Sequence, residues 1–115
     1  MNQQQALDAF AALSQETRLS IVRTLVKQGP EGLAAGAIAQ AMGVSASNVS
    51  FHLGQLERAG LIRSRRAARS ILYSAGIDTL AALIGFLTQD CCQGRPEICA
   101  PLAAASCLCT PENAA

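Results

Sequence analysis

The sequence contains no tryptophan, a single tyrosine and three phenylalanines in 115 residues. So few flat rings against 22 alanines favour slim, closely packed helices over a β-sandwich. Charge is scarce as well: 15% of residues are charged and the net charge is +1, while half are apolar, a composition too apolar for disorder. Long hydrophobic runs are missing. The longest, residues 80–87, falls well short of the roughly 20 residues that a membrane-crossing helix requires. The opening MNQQQ has neither a basic nor an apolar segment, which argues against a secretory signal and for a cytoplasmic protein. The chain is long enough for one core and too short for two.

The near-neutral balance conceals a local excess. Arg58, Arg63, Arg65, Arg66 and Arg69 fall close together with no acidic residue among them, so the rest of the chain is net acidic. A compact positive patch on an otherwise neutral protein suits a polyanion at one defined surface. Cysteine is just as unevenly placed: none occurs before position 91, and then Cys91, Cys92, Cys99, Cys107 and Cys109 follow. An odd number of thiols without a signal peptide does not read as a disulfide framework. Adjacent Cys91 and Cys92 cannot both face one core from a regular helix, so the group reads as metal-binding or redox-active. Residues 1–90 therefore form the expected folded domain and 91–115 a cysteine-rich tail.

Periodicity predicts a first helix over 3–12. A second is capped by Ser14, carries Leu19, Val22, Leu25 and Val26 on its inner face, and ends at Gly29 and Pro30. A third spans 34–42 and stops at Gly43. Ser45 caps a fourth, whose stripe is Val49, Leu53 and Leu56. The period then shortens to two: residues 61–65 and 70–74 read as strands around a turn at 66–69, a basic hairpin. Asp78 caps a fifth helix with Leu80, Leu83, Ile84 and Leu87 on one face. The expected fold is mainly α with a β-hairpin.

Two short helices joined at Gly43 and Val44 form a helix-turn-helix, whose second helix enters the major groove of DNA. Ser47, Asn48, Ser50, Phe51, Gln55 and Arg58 lie away from the stripe of the fourth helix, where Ser and Asn can bond base edges and Phe can meet a thymine methyl. His52 borders the stripe and reads as a packed residue or a phosphate donor. The hairpin follows as a wing whose Arg63, Arg65, Arg66 and Arg69 are expected to grip the backbone or the minor groove. No nucleophile–base set, phosphate loop or carboxylate pair is present, and the thiols follow a helix C-terminus, where the dipole disfavours thiolate. An enzyme is not expected.

These residues resemble a known family. LSQETRLSIV at 13–22 is similar to the ALADPTRLRIL opening of the ArsR-type metalloregulatory repressors, IAQAMGVSASNVSFHL at 38–53 to their LAEALGLSQSTVSRHL reading unit, and LERAGLI at 56–62 with Tyr73 to their run into the wing. The resemblance covers about residues 5–90. It implies a winged helix-turn-helix homodimer, paired through its first and last helices, that represses transcription from double-stranded operator DNA until an inducer binds. Leu80, Leu83, Ile84 and Leu87 are the implied pairing face.

The departures are informative. Where the family's arsenic site has Cys-Val-Cys on the third helix, this chain has Ala34, Ala35 and Gly36. The zinc site of the last helix needs Asp and His pairs, whereas the sole histidine is His52. Position 51 is usually polar in the family, so Phe51 points to an unusual base preference. What remains is Cys91, Cys92 and Cys99, three soft thiolates that suit trivalent arsenic or antimony, with Arg95 between them favouring the thiolate form. This CC-x6-C tail resembles the C-terminal arsenite sites of some family members. Cys107 and Cys109 are further candidate ligands, and a second site, a substitute for Cys99 and no role at all stay open. The expected inducer is As(III) or Sb(III), with no organic cofactor. Cadmium, lead or zinc, or a thiol redox signal, are the alternatives.

Overall fold

A computed structural model describes residues 1–88. Among the described residues five helices and three short strands follow in the order α1 (Gln3–Leu13), α2 (Glu16–Gln28), β1 (Leu33–Ala34), α3 (Ala35–Met42), α4 (Ala46–Arg58), β2 (Ile62–Ala67), β3 (Ser70–Ala75) and α5 (Ile77–Thr88). Met1–Leu83 forms one compact unit, and a second begins at Ile84. Within the second, the described residues are the last turn of α5, where the Thr88 hydroxyl donates to the Ile84 carbonyl at 3.0 Å. Among the described residues no helix is long and apolar enough to cross a membrane.

α1 starts from a reciprocal cap. The Asn2 side chain accepts from the Gln5 amide and the Gln5 side chain from the Asn2 amide, each at 2.8 Å, so two otherwise orphaned donors are satisfied. Its inner face is only alanine (Ala6, Ala9 and Ala12), which lets the helix lie close to its neighbours. Ser14 closes α1 rather than opening α2, because its hydroxyl donates to the Ala11 carbonyl. Gln15 takes the capping role and accepts from the Arg18 amide. The buried face of α2 is Ile21, Val22 and Leu25. Leu19 and Val26, expected inside, are each 46% exposed, since the helix is rotated to bring Ile21 inward.

α3 ends at Gly43, which adopts φ +70° and donates to the Ala39 and Gln40 carbonyls. A side chain at that left-handed turn would cost free energy, and glycine permits the tight entry into α4. α4 buries Val49, Leu53 and Leu56, as their spacing predicts, against a core that includes Ile21, Leu25, Ile38, Leu61 and Ile62.

The sheet order is β1-β3-β2, antiparallel throughout. β1 was not expected: two residues are too few for any periodicity, and only the pairing of Leu33 with Tyr73 and Ala34 with Leu72 defines it. The hairpin is longer than predicted. Ala67 pairs with Ser70, leaving Ala68 and Arg69 as a two-residue turn instead of the four-residue one expected at 66–69. Ala68 takes φ +56°, a conformation that hairpin turns normally assign to Gly or Asn. Asp78 is not the cap of α5. It lies one residue inside the helix, and its carboxylate engages Arg63.

Candidate nucleic-acid interface

α4 owes its position to the Gly43 turn and to Ser45, whose hydroxyl accepts from the Asn48 amide at 3.2 Å. With Val49, Leu53 and Leu56 directed inward, the opposite face is set by helical geometry. Ser47, Asn48, Ser50, Phe51 and Arg58 are exposed, and Gln55 is half-buried. Phe51 is 58% exposed, a large apolar surface left in water on an otherwise polar face. It borders a cleft of about 450 Å³ between α1 and α4, shared with Asp8, Arg18, Gln55 and Arg58.

His52 is half-buried beside this face. Its Nδ1 lies 3.1 Å from Nη1 of Arg18 on α2, and its ring meets that of Phe51 edge-on at 5.6 Å. Partial burial pushes the imidazole below its usual pKa, and the Arg18 charge acts in the same direction, so the ring is neutral near pH 7.

Among the wing arginines the structure distinguishes roles that composition alone cannot. Strand residues alternate between faces, so Arg63 and Arg65 share one side of β2, and Ser64 and Arg66 the other. Arg63 forms an ion pair with Asp78 of α5, and this partner holds the Asp78 carboxyl below its usual pKa. Arg65 donates to the Glu31 carbonyl at 3.0 Å. On the other face Ser64 donates to Glu57 of α4 at 2.7 Å, which places Arg66 on the α4 side of the sheet. Among the described residues Arg58, Arg66 and Arg69 have no ion pair or hydrogen-bond partner.

Of the expected pairing stripe, Leu83 is buried within its own chain (5% exposed), Leu80 is half-buried, and Ile84 and Leu87 are exposed. Cys91, Cys92, Cys99, Cys107 and Cys109 lie outside the described residues. Within those residues no group of three or more His, Cys, Asp or Glu could hold a metal ion. Sequence reasoning missed Arg18, Glu31 and Glu57 as partners in this surface. The contacts made by Arg18 and Glu31 cross 34 positions, and no local pattern signals them.

The whole arrangement is a helix presenting short polar side chains and one aromatic, flanked by a hairpin whose open charges are positive. A model described as a helix-turn-helix domain matches residues 13–65. The chain is 37% identical over 89 residues to the HTH-type transcriptional regulator YgaV of Escherichia coli, covering 77% of this chain and 88% of YgaV. It is 37% identical over 80 residues to the nodulation protein NolR of Rhizobium meliloti, covering 70% of this chain but only 63% of NolR. Among solved structures, the homodimeric winged helix-turn-helix domain of Mb0332 from Mycobacterium bovis, described as a possible ArsR-family transcriptional regulator, superposes with a TM-score of 0.61 at 30% identity, covering 76% of this chain and 81% of that one. By fold, by the matched reading unit and by these relatives, the chain belongs to the ArsR-type family of winged helix-turn-helix transcriptional regulators.

Proposed function

We propose that this protein is a cytoplasmic repressor that binds double-stranded operator DNA as a homodimer and is released when As(III) or Sb(III) binds its C-terminal thiolates. The observation that carries the DNA-binding part is the exposed Ser47, Asn48, Ser50 and Phe51 face of α4 beside the open charges of Arg58, Arg66 and Arg69. Short hydroxyl and amide side chains at the start of a helix reach base edges, and unpaired guanidinium groups bind phosphates. The homodimeric state of Mb0332 supports pairing, and the exposed Ile84 and Leu87 supply an apolar face for it.

The inducer reading rests on the donor set. Cys91, Cys92 and Cys99 offer three sulfurs with no histidine near them in sequence, a set that fits trivalent arsenic or antimony better than zinc. Thiols must lose their protons to bind, so induction weakens in acid. The test titrates the protein on its operator with arsenite, antimonite, cadmium, lead and peroxide in parallel. Arsenite and antimonite are expected to release DNA at the lowest concentrations. Cys91→Ser, Cys92→Ser and Cys99→Ser are each expected to bind DNA normally yet fail to release, while the double change at Cys107 and Cys109 has little effect. Release by cadmium or lead that depends on Cys107 or Cys109 would instead establish the metal-responsive alternative, and release by peroxide alone the redox one.

A further inference from the structure

Arg18 belongs to α2 rather than to the reading helix, and its donors tie together three helices. Its amide donates to the Gln15 side chain at 2.9 Å, Nε to the Ala12 carbonyl at 2.7 Å, and Nη1 lies 3.1 Å from Nδ1 of His52. Ala12 is in the last turn of α1, where carbonyls lack helical partners, so the first side-chain bond anchors the guanidinium rigidly. The second has a chemical consequence. Guanidinium is always protonated and can only donate, so His52 Nδ1 must accept. An imidazole that accepts at Nδ1 is neutral and carries its single proton on Nε2.

We propose that Arg18 is a positioning residue for DNA recognition: it fixes His52 in the Nε2–H tautomer, so that α4 presents there an oriented, uncharged hydrogen-bond donor to a DNA oxygen. The Phe51 ring, edge-on at 5.6 Å, packs against the imidazole as well. α4 packs against α1, α2, α3 and β2. The ionisable groups on those elements are Asp8 on α1, Glu16, Arg18, Arg23 and Lys27 on α2, none on α3, and Arg63, Arg65 and Arg66 on β2, with Glu57 and Arg58 on α4 itself. Of these, only Arg18 bears on the ring, and it acts with partial burial to keep His52 uncharged. A neutral donor adds direction without adding to the salt dependence, in contrast to the wing arginines. The proposal rests on α4 being the reading helix.

Two pairs of variants separate the donor from the scaffold. Gln places an amide N–H where Nε2 stands, while Asn reaches only as far as Nδ1. His52→Gln is therefore expected to stay within about threefold of wild-type operator affinity, and His52→Asn to lose roughly tenfold, the size of one hydrogen bond to a charged oxygen. Arg18→Met is expected to weaken the wild type by a similar factor but to cause no further loss in the His52→Gln background, because the two act as one unit. In Arg18→Met the imidazole stays lowered by burial but loses the Arg18 charge that acts in the same direction, so operator binding acquires a salt-dependent rise on acidification that begins at higher pH than in the wild type. Long-range ¹H–¹⁵N spectra of the full chain read the tautomer directly, whether or not Arg18→Met folds. A proton on Nδ1 overturns the proposal. So does wild-type affinity in His52→Asn while Asn48→Ala loses discrimination between operator and random DNA. Unchanged binding in all of these variants would remove α4 as the reader, and the proposal with it.

Discussion

The unequal engagement of the wing arginines predicts unequal salt dependence. Each phosphate neutralised by a cation contributes about 0.9 to the slope of log affinity against log salt. Arg66 has no intramolecular partner among the described residues, so Arg66→Gln removes one contact per subunit, or two in the proposed dimer. Across a fourfold rise in salt, each contact accounts for a factor of about 3.5, so two account for about 12. Wild type is therefore expected to lose about 12-fold more affinity than Arg66→Gln between roughly 50 and 200 mM salt. Arg63 is already neutralised by Asp78, so Arg63→Gln leaves the slope nearly unchanged, and Asp78→Asn, which frees that guanidinium, steepens it. The pair is formed with an Asp78 carboxyl held below its usual pKa, so it is fully present above the ordinary carboxylate range and is lost only as pH falls through the depressed value. Fluorescence anisotropy on a random-sequence duplex suffices, because phosphate contacts carry no sequence information. Equal slopes for Arg63→Gln and Arg66→Gln, both shallower than wild type, would refute the assignment of roles.

Two further predictions concern the fold. Ala68 holds φ +56° at the tip of the wing, so Ala68→Gly is expected to stabilise the protein by about 0.5–1 kcal/mol through relief of left-handed strain, offset in part by glycine's unfolded-state entropy; an unchanged urea midpoint would mean the turn bears no strain. Leu83 is buried in its own chain whereas Ile84 and Leu87 are exposed, so Leu83→Lys lowers the melting temperature sharply while Ile84→Lys and Leu87→Lys keep the fold and shift sedimentation toward monomer. Unaltered sedimentation of the last two would take that face out of the proposed dimer.

Much of this protein was determined by short-range pattern. Val49, Leu53 and Leu56 recur at helical spacing, so α4 and the direction of its outward face follow from the sequence alone. Gly43 and Ser45 mark the turn and the cap by their own chemistry, and the change of period after Gly60 announces the wing. The thiol cluster and the lone histidine are matters of composition, and the proposed inducer rests on them alone. What tertiary structure decided is which side chains are already engaged. Five clustered arginines look equivalent in sequence, yet Arg63 meets Asp78 and Arg65 meets the Glu31 backbone, while Arg66 stays open. Leu19 and Leu83 have the same hydropathy, but one is left at the surface and the other covered. The Arg18–His52 contact joins α2 to α4 across 34 positions. Periodicity reports only the face a residue takes on its own element; which partner waits there depends on how separate elements pack, and that is a property of the folded chain.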